Sequence, residues 1–259
     1  MARKFFFKRK RKGAKRTKAA PRMSFNKRVL SVINKQRELK VAVLTGELPI
    51  TGSIVGSNIL QVMPNVPQAG NPGPPSASTV AQEFYRDGNS ITLKKIKIRA
   101  WITQKVPANG ALTRYVVRHL ILRQRSANAQ DVLEGNGADF QSNLLLENAQ
   151  AFVGNIPSLQ TPVNKSAFVA RYDKRHYLSS PTVNQAQGDI DADQKNNFKM
   201  IQKTLTFGKG MKLNYGTGGS VQSQNFPYIM GLGAATPDGV PADSGLTFNY
   251  TATAYFFDS

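Results

Sequence analysis

From residue 40 onward apolar and polar positions alternate with a period of two, interrupted by glycine, proline, asparagine and aspartate, which is the pattern of many short strands. Eight segments qualify, at roughly 39–46, 53–62, 91–106, 113–125, 167–178, 198–207, 226–233 and 246–257, and they predict an all-β sandwich or barrel. In the third, Ile91 and Leu93 are out of phase with Ile96, Ile98, Ala100 and Ile102, so a β-bulge is expected at Lys94–Lys95. Past that bulge Lys95, Lys97, Arg99 and Trp101 share one face. It is too basic for a dry core and should meet water, a neighbouring subunit or phosphates. The fourth segment, TRYVVRHLILRQR, is apolar on both faces and predicts a central strand covered twice, or a subunit contact. In the last, Phe248, Tyr250, Ala252, Ala254 and Phe256 form a core face against polar Thr247, Asn249, Thr251 and Thr253.

The connections differ in kind. MPNVPQAGNPGPPSAS, residues 63–78, carries five prolines, which lack an amide donor and fix φ, so a long surface loop is expected there. Between Ser126 and Ser166 the spacing of Phe140, Leu144, Leu145 and Asn148 predicts one short helix. No internal repeat and no second composition is visible, so residues 39–259 read as one domain. No uninterrupted apolar run approaches the roughly 18 residues that a membrane-spanning helix requires.

Ahead of residue 39 charge replaces pattern. The chain holds 35 Lys or Arg against 15 Asp or Glu, a formal net charge of +20. Thirteen of those cations fall within residues 1–28: Arg3, Lys4, Lys8, Arg9, Lys10, Arg11, Lys12, Lys15, Arg16, Lys18, Arg22, Lys27 and Arg28, with no acid among them. What remains is an excess of only seven over the rest of the chain. Like charges at such density repel and offer little apolar surface, so residues 1–38 are expected to form a basic arm, disordered or partly helical, that binds a polyanion. Nucleic acid is the first candidate.

Within the arm several readings stand side by side. Phe5, Phe6 and Phe7 suit stacking on unpaired bases, or a short apolar anchor against the fold. KRKRK at 8–12 and KRTK at 15–18 resemble nuclear-import signals, and a genome-binding arm reads identically. Ser24 caps a short helix with Phe25, Val29, Val32 and Ile33 on one face, or the same residues are a frayed lead into the first strand. A secretory leader is not expected, since the basic start runs into more charge rather than into an apolar core.

Catalytic chemistry is hard to place. With no cysteine, thiolate nucleophiles and sulfur-ligated zinc are excluded. His119 and His176 sit in predicted strands without a carboxylate or second histidine at ligand spacing, and read as structural or interface residues. The glycine clusters at 208–210, 216–219 and 231–235 match no phosphate or dinucleotide loop and read as turns. Asp189, Asp191 and Asp193 alternate as hard-cation ligands do, or form a solvated acidic loop; an EF-hand would place Gly at Gln194 and Glu at Met200. No enzyme, metal or cofactor is expected.

KKIKIRAWI, YVVRHLILRQ, KTLTFGKGMKLNY and the terminal NYTATAYFFDS, behind an acid-free basic arm, are similar to segments of capsid proteins from small viruses with circular single-stranded DNA genomes that encode their own replication initiator, circovirus-like viruses among them. Satellite necrosis viruses use the same shell fold around RNA. The resemblance implies an eight-stranded single jelly-roll sandwich that assembles with about sixty copies of itself into a T=1 icosahedral shell. It further implies arms bound to the packaged single-stranded genome, DNA before RNA, and contact with host nuclear-import factors. The place of such a protein is the virion, and the host nucleus during assembly, with no membrane partner. Rival expectations are a cellular ribosomal or architectural nucleic-acid binder with a basic extension, and a jelly-roll enzyme needing clustered histidines and a carboxylate.

Overall fold

A computed structural model describes residues 38–69, 85–104, 114–125, 140–179, 183–184, 189–190, 198–216, 220–236 and 245–258. Ten strands are placed there: β1 (Lys40–Ile50), β2 (Leu60–Gln61), β3 (Ser90–Gln104), β4 (Arg114–Gln124), β5 (Phe168–Ser179), β6 (Val183–Asn184), β7 (Asp189–Ile190), β8 (Phe198–Asn214), β9 (Tyr228–Ala235) and β10 (Leu246–Asp258). The fold is all-β. Two antiparallel four-stranded sheets, ordered β1-β10-β3-β8 and β2-β9-β4-β5, form a sandwich-like arrangement, and β6 pairs with β7 in a small hairpin.

The alternation read in β3 and β10 determines which side chains enter the sandwich. Ile96, Ile98, Ala100 and Ile102 of β3 are buried beside Phe248, Ala252, Ala254 and Phe256 of β10, facing Val117 and Ile121 of β4 and Met230 and Leu232 of β9. At about 25 cal/mol per Å² of apolar surface removed from water, this layer is the main source of stability. The bulge lies where the phase slip predicted it: Tyr255 pairs with Lys95 and Phe256 with Leu93, leaving Lys94 as the extra residue. Opposite, β8 loops out between Thr206 and Met211, with Gly208 and Gly210 at φ 53° and 116°. Only glycine takes such angles without strain, and a Cβ on Gly210 would stand 2.4 Å from Thr92 Cγ2.

β4 is covered on both sides, which accounts for its unbroken apolar run. Its alternate residues Leu120 and Leu122 leave the first core and join Ile229 and Ala235 of β9 in a second. The cover is the chain's own excursion between β4 and β5, which contributes Phe140, Leu145, Leu146, Phe152, Leu159 and Val163. Arg118 of β4, with no exposed surface, is held there by paired bonds: Nε to Asp173 Oδ1 at 3.0 Å, and Nη2 to Asp173 Oδ2 at 2.7 Å. Its Nη1 donates to the carbonyls of Ser158 and Thr161 at 2.6 and 2.7 Å, which fastens the excursion to the sheet.

Several sequence expectations are corrected. Over 53–62 only Leu60–Gln61 is strand; Gly56–Asn58 is a 3-10 turn in which Asn58 Oδ1 accepts from the Val55 amide at 2.8 Å. The apolar alternation there arises because Ile54 enters the second core and Leu60 the first. The helix expected around Phe140–Asn148 is a single 3-10 turn at Ser142–Leu144, and the left-handed backbone of Asn148 and Ala149 ends any helical path. The one α-helix among the described residues is Ile156–Gln160, where Asn155 accepts from the Ser158 amide and Pro157 occupies the first turn. The start of the proline-rich 63–78 stretch is not a surface loop, since Met63 and Val66 are fully buried; from residue 70 it lies outside the described residues. β8 continues to Asn214, beyond its expected end at 207.

Candidate nucleic-acid interface

The thirteen arm cations, from Arg3 to Arg28, with Phe5–Phe7 and the Ser24 helix, lie outside the described residues. The basic surface the structure does describe is the outer face of the β1-β10-β3-β8 sheet. Side chains on alternate residues of a strand point the same way, so register aligns them in rows across the four strands. One row holds Val41, Tyr255, Lys95 and Thr206; the next Val43, Thr253, Lys97 and Thr204; then Thr45, Thr251, Arg99 and Gln202; then Glu47, Asn249, Trp101 and Met200. Three cations thus stand in single file down β3, flanked by hydroxyls and an amide. Glu47 is the sole carboxylate in these rows.

One aromatic ring holds the two lysines of this file. Lys95 Nζ lies 4.6 Å and Lys97 Nζ 5.3 Å from the centroid of Tyr255, and each cation–ring contact is worth about 0.5–1 kcal/mol at an exposed site. Trp101 stacks on Phe198 with centroids 5.9 Å apart and planes inclined by 24°. Both rings remain in solvent, 46% and 51% exposed, and Met200 beside them is 52% exposed. Next to Trp101 the face dips into an open groove of about 790 Å³, lined by Thr45, Glu47, Arg99, Asn249 and Thr251 among others. The ion pairs among the described residues join Lys40 to Asp87 and Asp258, and Arg118 to Asp173; none involves Lys95, Lys97 or Arg99.

Lys95, Lys97, Arg99 and Trp101 share a face, as the alternation of β3 predicted. Phe198 and Met200 were not singled out in the sequence. The signal was there in the start of β8, where Phe198, Met200, Gln202 and Thr204 alternate with buried Ile201 and Leu205.

A second cationic place lies where the edge strands β5 and β8 meet, around a pocket of about 160 Å³ lined by Arg171, Lys203, Phe207 and Tyr228. Arg171 lies over the Tyr228 ring at 6.0 Å and Lys203 Nζ over the Tyr172 ring at 5.4 Å.

The histidines are in the sandwich. His119, fully buried on the inner face of β4, packs edge-on against Tyr172 and Phe248 at 4.9 and 5.5 Å and lies 6.1 Å from His176. Among the described residues neither ring nitrogen of His119 has a hydrogen-bond partner. Burial, with a smaller push from His176, takes its pKa down to about 3, so it is neutral near pH 7. His176 is shifted down as well, by burial and by Lys199 and Lys174. Asp189 is in β7, while Asp191 and Asp193 lie outside the described residues. Among the described residues no group of three or more His, Asp or Glu side chains could hold a metal ion.

At the start of β1, Lys40 is buried and its ammonium donates to Asp87 Oδ2 and the Tyr85 carbonyl at 3.1 and 2.9 Å, with Asp258 as a second ion-pair partner. Burial opposes its charge, yet the hydrogen bonds to Asp258 and Asp87 outweigh that and raise its pKa. The residue that opens the sandwich is therefore pinned at three points. Among the described residues no helix is long and apolar enough to cross a membrane. No protein-family model matches the chain, and no curated protein is detectably similar to it in sequence.

Proposed function

We propose that the chain is a viral coat protein of the single jelly-roll type, which assembles with copies of itself into a small icosahedral shell and packages a single-stranded genome, DNA by preference, on its basic arm. The observation that carries this reading is the strand order. Setting the β6–β7 hairpin aside, eight strands lie with the first beside the last and the second beside the next to last, divided between two sheets. That order supports reading the sandwich as two Greek keys wound into a jelly roll, an architecture used by viral capsids, lectins and cupins. Among those users, an arm with thirteen cations and no acid singles out the capsid, because it supplies what a packaged polyanion needs.

The surface of the body supports self-association. Val153 and Ile156 on the excursion and Tyr177 on β5 are apolar or aromatic and exposed. Each subunit of a closed shell has to bury surface of this kind against several neighbours. With about sixty copies the arms would bring roughly 780 positive charges to the interior, matched to a genome on the order of a thousand nucleotides. The Lys and Arg of the arm would contact phosphates, which carry no sequence information, so packaging is tolerant of sequence. Such a protein acts in the virion and, during assembly, in the host nucleus, where KRKRK and KRTK would engage import factors.

The test is size and content. Sedimentation and negative-stain microscopy of the expressed chain should give uniform particles containing nucleic acid; monomers or small oligomers under every assembly condition would instead favour a cellular nucleic-acid binder. Removing residues 2–28 should strip purified particles of most of their nucleic acid and bring the 260/280 nm absorbance ratio most of the way down to that of protein alone; an unchanged ratio would refute the role of the arm. Affinity of the intact chain for single-stranded DNA should fall with salt at a log–log slope approaching about −9, if each of the thirteen cations releases about 0.7 of a counterion. A flat response would rule out phosphates as the target.

A further inference from the structure

We propose that the outer face of the β1-β10-β3-β8 sheet is a second track for single-stranded nucleic acid, on which Lys95, Lys97 and Arg99 take successive phosphates and the Trp101–Phe198 pair takes an unpaired base by stacking. Only the identity of the partner rests on the packaging role proposed above; the site itself stands on its own geometry.

Spacing is the first argument. Residues two apart on a strand stand about 6.6–6.8 Å from each other, comparable with successive phosphates along an extended single strand. The three cations fall at that interval on one strand past its bulge, and Trp101 continues the series. The file therefore ends on a ring one phosphate step past its last cation, where a base is to be bound. A duplex has no use for that arrangement, since its bases are stacked on one another and cannot lie on Trp101.

Preorganisation is the second. Tyr255 holds the lysine ammoniums over its ring, and Trp101 and Phe198 are already near-parallel, so a base adds a third layer without rearranging the first two. The groove beside Trp101 leaves room for a nucleotide, and Asn249 and Glu47 on its wall offer hydrogen-bonding groups to a base edge. Glu47 lies in the row of Trp101 rather than in those of the cations, so the phosphates pass the end of the sheet that carries no carboxylate in these rows.

Charge decides between a polyanion and a second copy of the chain. A symmetric contact through this face would bring the same file of cations toward its own copy with only Glu47 to offset it, and like charges juxtaposed in an interface disfavour the pairing. A strand of phosphates meets the same file with release of counterions.

Trp101 is the only tryptophan in the chain, so it reports on this face alone. The full-length protein, held unassembled, is titrated with oligo(dT) at low salt while Trp101 emission and the anisotropy of a labelled oligonucleotide are followed together. Quenching that saturates with the oligonucleotide is expected. In a Lys95→Gln, Lys97→Gln, Arg99→Gln variant the salt slope of the quenching curve should fall by about 2, at roughly 0.7 per lost phosphate contact. The anisotropy curve, in which the arm takes part, should still show binding. Oligonucleotide binding with unchanged Trp101 emission would overturn the proposal and leave arm-driven packaging intact. A blue shift of Trp101 on assembly of nucleic-acid-free shells, with no response to oligonucleotide, would overturn it in favour of a contact between copies. Absence of binding by both readouts would remove this site and the packaging role together.

Discussion

Replacing His119 by leucine should flatten the acid dependence of folding stability. The imidazole is sealed in the sandwich against Tyr172 and His176 of β5 and Phe248 of β10, with Lys174 of β5 opposite it in register and Lys199 of β8 close enough to depress His176. No carboxylate is among these neighbours, so nothing there favours a proton. Its pKa, about 3 in the folded chain, returns to about 6.5 on unfolding. Between those values the unfolded chain binds the extra proton. Stability is therefore at its full value above about pH 6.5 and declines as pH falls toward 3. Linkage puts the loss from this one residue at about 2 kcal/mol by pH 5, growing by about 1.4 kcal/mol for each further unit. Leucine cannot take the proton. At pH 7.5 the exchange should stay within about 1 kcal/mol of neutral, because lost ring-edge contacts are offset by removing two buried nitrogens without partners. The carboxylates, including Asp87 with its pKa lowered by Asp258 and Lys40, titrate alike in both proteins and cancel in the difference. Urea unfolding of the unassembled chain at pH 7.5 and 5 measures it. Equal losses in wild type and His119→Leu would refute the assignment.

Three further substitutions probe the second core and the ion pair that fastens its cover. Gly233 of β9 faces Phe152, and a Cβ there would stand 2.2 Å from Phe152 Cε1 and 2.9 Å from Ile54 Cγ1, so Gly233→Ala should cost about 1–3 kcal/mol. Adding Phe152→Ala should then cost less than the sum of the two single changes in the same urea assay. Asp173→Asn leaves Arg118 charged and buried; the loss, below the 3–5 kcal/mol of a fully buried broken pair because Asp173 is 25% exposed, should be about 1–3 kcal/mol, with faster proteolysis between residues 140 and 166.

The parts of the fold that could be read from sequence are those where one strand spends its whole length between the same two environments. β3 and β10 do so, and their alternation assigned both the core side and the basic side correctly and put the bulge at Lys94–Lys95, where Lys94 is the extra residue. Residues 53–62 do not. Ile54 and Leu60 are both buried, but in different cores, and a period of two cannot distinguish that from a strand. The helix was misplaced for a related reason: Phe140, Leu145 and Leu146 point into the second core from irregular backbone, whereas the five-residue helix that does form is set by Asn155 and Pro157 rather than by apolar spacing. Partners far apart in sequence were beyond reach. Arg118 meets Asp173 across 55 residues, and Trp101 meets Phe198 only because the β3–β8 register sets Trp101 opposite Met200 and Thr103 opposite Phe198.

The two sheets treat their outer faces differently, and that contrast bears on function. Where the β2-β9-β4-β5 sheet turns outward, the chain covers it with its own excursion, and the one arginine caught beneath, Arg118, receives a carboxylate and two carbonyls. Where the β1-β10-β3-β8 sheet turns outward, among the described residues three cations share four rows with one acid, and an exposed ring pair lies beside them. A face meant only for water would mix its signs and keep its large rings inside. Among the described residues the chain thus neutralises Arg118, which it encloses, and gives no carboxylate partner to Lys95, Lys97 and Arg99, which it displays. That is the arrangement expected if the missing negative charge belongs to another molecule, and if the body, as well as the arm, meets it.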